Sequence, residues 1–146
     1  MSTAADFIFS HTRLHAKFIK RLDGGMSLHG ISFSEYMILH YLGTTSGEAM
    51  RRIDLAEAIG ISASGVTRML APMEKIGLVE KEINPRDARV SLVRLSKAGR
   101  KIYQEASATL DLHAATLVEP LTEIQLNKAK KYVSKLLGVA PRLGNG

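Results

Sequence analysis

Ser64, Thr67, Arg68 and Ala71 recur at the i, i+3, i+4, i+7 spacing, with Ser62 just ahead of them. On a helix that spacing makes one face. The face is small, polar and basic, whereas an ordinary exposed helix more often carries Glu–Lys pairs. Such a face can come close to base edges. Its hydroxyls suit phosphate oxygens, and an arginine can pair bidentately with guanine or bind phosphate alone. A second basic set follows. From Lys81 to Lys101 there are seven Lys/Arg against two acids, Glu82 and Asp87. Arg86 and Arg89 stand in the run Asn84-Pro85-Arg86-Asp87-Ala88-Arg89, where a turn is expected. Arg89 at such a tip suits a narrow, electronegative minor groove. Asp87, an anion, is expected to orient an arginine by a charge-assisted bond. Arg51, Arg52, Lys81 and Arg86 read equally as phosphate contacts or as solvated surface charges.

The elements that would hold these residues are legible in outline. Arg52 to Ile59 reads as a short helix with Leu55, Ala56 and Ile59 facing inward, stopped by Gly60. Ser62 is the expected N-cap of the next helix. There Val66, Met69, Leu70 and Met73 form the buried stripe opposite the polar face. Pro72 is expected to kink or split that helix. Gly77 follows, then two β-rich runs, Leu78 to Ile83 and Val90 to Leu95. Helix, turn, helix and basic hairpin make a winged helix-turn-helix, which points to duplex DNA.

The flanks are helical. Residues 6–22 carry a helical apolar pattern that Asp23-Gly24-Gly25 should end. Ser32 and Glu35 match a capping box ahead of a helix through Leu42. Gly43 to Gly47 reads as a loop. Ser96 should cap a long helix to about Val118, with Tyr103, Ala106, Leu110, His113 and Leu117 forming a coiled-coil-like seam. After Pro120, Thr122 and Gln125 match a second capping box, and Leu126, Ala129, Val133 and Leu136 make the apolar stripe of a last helix. Gly138 to Gly146 is expected to fray. The expected architecture is one domain over 1–146, mainly α with a small β-hairpin. Its winged helix-turn-helix covers 33–100, and dimerisation helices lie at 1–23 and 101–138.

Bulk composition narrows the function class. The chain has 146 residues, a formal net charge of +6 and a pI near 9.7, which suits a polyanionic partner. It has no cysteine, so a disulfide scaffold, a Cys-ligated zinc site and a thiol redox sensor are excluded. That composition fits a reducing cytosol. The opening stretch does not read as a signal peptide, and no apolar run is long enough to span a membrane. Neither a nucleophile-elbow serine, a phosphate loop nor paired acids point to an enzyme, and no cofactor is expected. Ser64-Gly65 reads as a helix start. The five histidines leave a metal-responsive reading open. His11 and His15, four apart on one helix, could present two ligands, but on a face with Phe7, Phe18 and Leu22 they read better as partly buried structural residues. His113, with His29 and His40, could join a composite site across subunits. A winged-helix protein-interaction module is the other alternative, disfavoured because a docking face should be more apolar.

The ordered pieces resemble the MarR-type (multiple antibiotic resistance regulator) transcription factors. The resemblance is carried by Asp54-Leu55-Ala56, by Ile61-Ser62 with Ser64 and Val66-Thr67-Arg68, by Glu74-Lys75 with Gly77-Leu78-Val79, and by Asn84 to Arg89 followed by Val93, Leu95-Ser96 and Gly99. It implies a homodimer joined by the terminal helices, with one winged helix-turn-helix per subunit. The implied partner is a pseudo-palindromic operator, and the implied role is a repressor released by a small molecule. By position, Ser62, Ser64, Thr67 and Arg68 fall on the recognition helix, and Asp87 and Arg89 on the wing. The implied effector site is a cleft between the terminal helices and the DNA-binding unit. Phe7, His11, His15, Tyr36, His40, Tyr103 and His113 either line that cleft or are plain core. The chain departs from the family at Pro72 and at Glu80-Lys81-Glu82, where many members carry a basic residue.

Overall fold

The computed structural model describes residues 1–138. The expected fraying beyond Gly138 lies outside the described residues. Among the described residues six α-helices run in the order α1 (Thr3–Ser27), α2 (Phe33–Thr44), α3 (Arg52–Ile59), α4 (Ala63–Lys75), α5 (Lys97–Val118) and α6 (Glu123–Leu137). Three strands, β1 (Ala49–Arg51), β2 (Val79–Ile83) and β3 (Ser91–Leu95), form an antiparallel sheet in the order β1-β3-β2. The molecule is thus mainly α with a small sheet, a winged helix-turn-helix between terminal helices. No helix among the described residues is long and apolar enough to cross a membrane.

Capping explains most of the helix starts. Ser2, Ser32, Ser62, Ser96 and Thr122 each accept a backbone N–H of the first turn. Ser32/Glu35 and Thr122/Gln125 close full capping boxes, and each cap of this kind contributes about 1 kcal/mol. Gly60 ends α3 at φ 81°, a left-handed conformation that favours glycine.

One core gathers α2, α3, α4, β2, β3 and the inner side of α5. Ile38, Leu39, Leu42, Leu55, Val66, Leu70, Met73 and Val93 are fully buried there, with Met26 of α1. Val66, Leu70 and Met73 are the expected inner stripe of α4. Helix α6 contributes no buried residue.

Three expectations fail. Asp23-Gly24-Gly25 does not end α1, which continues to Ser27. A mid-helix glycine costs about 1 kcal/mol, but here the missing side chain serves packing. A Cβ on Gly25 would lie 2.8 Å from His113 Cδ2, so the residue allows α5 to approach α1 closely. Asp23 accepts the Phe33 amide at 2.8 Å and joins α1 to the start of α2. Of the two outcomes expected at Pro72, the split does not occur, and α4 runs unbroken to Lys75. Pro72 lacks an N–H, yet buried Leu70 and Met73 hold its turn. The turn then closes through Gly77 N–H to Glu74 O (3.1 Å) and Leu78 N–H to Met73 O (2.9 Å). Finally, the expected Gly43–Gly47 loop is shortened at its start, since α2 runs to Thr44, and the strand β1 just beyond it, whose Met50 pairs with Val93, was not expected. Three residues are too few to show a period-two pattern.

The end of α4, the wing and α5 meet at one seam. Ser96 donates its amide to Leu78 O (3.1 Å) and its hydroxyl to Gly77 O (2.5 Å), while accepting Gly99 N–H (2.9 Å). Gly99 is buried, and a Cβ there would lie 2.0 Å from Leu78 O. We expect Gly99→Ala to lower unfolding free energy by about 2 kcal/mol or more, as overpacking does. Urea denaturation would measure it, and a loss below experimental error would count against the seam.

Candidate nucleic-acid interface

Helix α4 presents Ala63, Ser64, Thr67, Arg68, Ala71 and Pro72 to solvent, opposite its buried stripe. The hydroxyls are partly committed. Ser62 Oγ accepts Gly65 N–H at 3.1 Å and lies 3.1 Å from Ser64 Oγ. Thr67 Oγ1 donates to Ala63 O at 3.1 Å. Arg68 is exposed and takes part in none of the ion pairs among the described residues.

The wing tip is built from side-chain-capped turns. Asn84 Oδ1 accepts the Arg86 amide, and Asp87 Oδ1 accepts the Arg89 amide, both at 3.0 Å. Asn84 N–H to Val90 O (3.1 Å) and Val90 N–H to Asp87 O (3.0 Å) close the loop. The expected Asp87–Arg89 bond is present and bidentate. Arg89 Nε donates to Oδ1 at 3.1 Å, and Nη2 to Oδ2 at 3.3 Å. Yet the Arg89 side chain is 90% exposed, so it is aimed without being buried. Arg86 is exposed and outside every ion pair among the described residues.

Arg52 and Lys81 are brought together elsewhere. Arg52 Nη2 donates to Glu74 Oε1 at 3.2 Å, and Lys81 Nζ lies 4.0 Å from Glu74 Oε2. Arg52 is half-buried, whereas Lys81 is mostly exposed. Glu74 therefore links α3, α4 and β2 beneath the exposed face. Sequence reasoning missed it, because one acid near the end of a helix looks like any solvated residue. Arg51 forms a two-bond pair with Asp54, at 2.8 and 3.0 Å. Arg94 pairs with Glu82 across the hairpin at 2.8 Å, and Arg100 pairs with Glu48.

The seven residues considered for an effector cleft do not share one. Tyr36, His40 and Tyr103 pack together between α2 and α5, with Tyr36–Tyr103 ring centroids 5.7 Å apart. Tyr36 OH meets Ser107 Oγ at 2.9 Å, and His40 Nδ1 meets Tyr103 OH at 3.0 Å. Burial raises the Tyr36 phenol above its ordinary value. Phe7 stacks on His11 in the exposed first half of α1. His11 and His15 are exposed, correcting the expectation that both are partly buried. His113 instead accepts a bond from Arg21, and His29 meets Thr109 Oγ1 at 2.7 Å. Among the described residues no three His, Cys, Asp or Glu side chains gather to hold a metal ion.

The bonds from Arg89 hold the Asp87 carboxyl below the ordinary carboxylate value. With a lowered folded value, the pairing is fully present above the ordinary carboxylate range and is lost as pH falls through the depressed value. We expect an NMR titration of the Asp87 carboxyl carbon to give a midpoint below that of a free aspartate. Arg89→Ala should move it back up, and coincident midpoints in the two proteins would contradict the geometry.

A model of the MarR family matches residues 29–90. The chain is 35% identical over 72 residues to the uncharacterized HTH-type transcriptional regulator YdgJ of Bacillus subtilis (strain 168), covering 49% of this chain. The match spans 43% of that relative's length. Two solved structures share the fold. A mutant MarR from E. coli complexed with operator DNA superposes with a TM-score of 0.83 at 20% identity, covering 94% of this chain and 99% of that one. CouR from Rhodococcus jostii RHA1, bound to p-coumaroyl-CoA, gives 0.82 at 18% identity, covering 93% and 94%.

Proposed function

We propose that this chain, whose residues 29–90 match a model of the MarR family, belongs to that family and is a sequence-specific DNA-binding regulator of transcription. In this reading it acts as a dimeric repressor, released from a pseudo-palindromic operator by a small molecule. The observation that carries the reading is Arg89. Its guanidinium is held at the wing tip by the two bonds it donates to Asp87, yet stays 90% exposed. A cation so aimed and so little buried stabilises the fold little and suits a partner's phosphate-lined groove.

The division of labour follows the geometry. Helix α4 enters the major groove with its N-terminal residues leading. Arg68, with no acid to compete for it, pairs with guanine at a discrimination of about 1–3 kcal/mol. Ser62, Ser64 and Thr67 bind phosphate oxygens through what their internal bonds leave free. Arg86 and Lys81 neutralise phosphates, and Arg52 does so through the donors that Glu74 does not occupy. Asp87 is a positioning residue. The operator complex of the E. coli relative supports the DNA reading, and the p-coumaroyl-CoA complex of CouR supports an organic effector.

The dimer reading rests on uncovered apolar surface. Phe7, Ile8, Phe9, Leu112, Ile124, Leu136 and Leu137 are all more than half exposed, and all lie on α1, α5 and α6. A fifteen-residue helix with no buried residue is marginal in water by itself. The same helices of a second copy would cover this surface. Light scattering should therefore give about twice the 16.0 kDa chain mass, and Leu136→Glu with Ile124→Glu should shift it toward the single-chain mass.

For DNA, Arg89→Ala should weaken operator binding about tenfold or more, roughly 1.4 kcal/mol, with an unchanged thermal melt. Equal affinities at matched salt would remove the wing from the reading. Wild-type affinity should also fall steeply with salt, with a log–log slope of about 0.9 per neutralised phosphate. An affinity indifferent to salt would argue against DNA as the main partner. Fluorescence anisotropy on fragments selected from genomic DNA by the purified protein would supply both measurements.

A further inference from the structure

Bases in a major groove are told apart by a short table of partners. Arg or Lys suits guanine, Asn or Gln adenine, Asp or Glu cytosine, and an apolar carbon the thymine methyl. Helix α4, Ala63–Lys75, contains no Asn or Gln, so it holds no bidentate reader of adenine. Its one acid, Glu74, is partly buried and already accepts a bond from Arg52 at 3.2 Å, which removes the reader of cytosine. Arg68 remains for guanine. The serines at the start of the helix are engaged with each other and with Gly65 N–H. An A·T pair facing the later turns of α4 is then distinguished from its thymine side.

What the exposed face offers beside Arg68 is carbon. Thr67, Ala71 and Pro72 are all exposed. Thr67 Oγ1 donates to Ala63 O at 3.1 Å, which fixes the rotamer and turns the oxygen back along the helix. Oxygen and methyl diverge from one Cβ, so a phosphate contact through the first leaves the second free. Ala71 lies one turn further on, about 6 Å along the axis. That exceeds the rise of about 3.4 Å per base step, so the two methyls meet different base pairs. Pro72 lies one turn after Arg68, and its ring has neither donor nor acceptor to compete for the same bases.

We propose that α4 reads thymine: the methyls of Thr67 and Ala71 pack against the 5-methyl groups of two thymines in each half-site, beside the guanine paired with Arg68. This rests on the reading of α4 as the major-groove helix and names what that helix selects. Thr67 and Ala71 thus determine specificity through van der Waals contact, and Pro72 keeps the flank of Arg68 free of a second donor.

The test begins with fragments selected by the full-length chain from amplified genomic DNA. Amplification leaves no methylcytosine, so every 5-methyl group present belongs to thymine. A selected fragment is then resynthesised with single deoxyuridine-for-thymine exchanges, which delete the methyl and keep the hydrogen-bonding edges. By fluorescence anisotropy at fixed salt, uracil at each of two positions per half-site should weaken binding about fourfold, roughly 0.8 kcal/mol, the value of one buried methyl. Thr67→Ser deletes the matching methyl and keeps the hydroxyl. It should bind the all-thymine fragment more weakly and shrink the uracil effect at one of these positions to less than about twofold. Ala71→Gly should do the same at the other, with thermal melts confirming that both variants are folded. If Ala71→Gly unfolds, Thr67→Ser decides alone. Uracil tolerated at every thymine would overturn the proposal while the regulator reading stands. So would a uracil effect that keeps its full size in the folded variants. Failure to select any specific fragment would overturn both.

Discussion

The contact on which the rest depends is the approach of Gly99 to the carbonyl of Leu78. It is closed by Ser96, which donates to Gly77 O and Leu78 O and accepts the Gly99 amide. Three elements meet there. The end of α4 turns through Gly77, β2 starts one residue after Leu78, and β3 delivers the chain into α5. With Val79 paired to Leu95 across the hairpin, the register of the wing is set from this corner outward. Alternation along a strand has a period of two, so a one-residue slip would move the buried Val93 to the other face and the charged residues inward. The orientation of the wing relative to α4 therefore follows from one carbonyl, one hydroxyl and the absence of one methyl group.

Charge is organised around the same frame in two ways. Glu74 takes Arg52 from α3 and approaches Lys81 from β2, binding helix-turn-helix and wing together beneath the exposed face. Glu82, Asp54 and Glu48 each engage one further arginine. Among the described residues Arg68 and Arg86 pair with no acid, and Arg89 is paired but exposed. The acids thus sort the cations, tying some into the framework and leaving others outward. For exposed pairs the energetic effect is small. Their consequence is geometric.

Much of this was legible in the chain itself. Ser62, Gly60 and the Val66/Leu70/Met73 stripe located α4 with its two faces, because capping and period are local signals. The Asp87–Arg89 bond was readable because two residues two apart in a turn can meet in few ways. What failed depended on distant contacts. Gly24-Gly25 reads as a stop until His113 is seen resting on the second glycine. Pro72 reads as a break until the packing of Leu70 and Met73 holds the turn. The strand β1 has meaning only beside β3. Glu74 is unremarkable until three elements converge on it.

Helix α5 begins at the wing corner and continues for 22 residues to the terminal helices. At 1.5 Å per residue it is about 33 Å long. Its first turn is clamped to Gly77 and Leu78, and its far half rests on α1 through His113 and Gly25. Such a rod acts as a lever with a stiff grip at the short end. A tilt of about 5° at the far end carries the other through roughly 3 Å over that length, close to the rise of about 3.4 Å between stacked bases. A small angular change near α1 would therefore displace the wing corner by about the rise of one base step, without the winged helix-turn-helix itself having to deform.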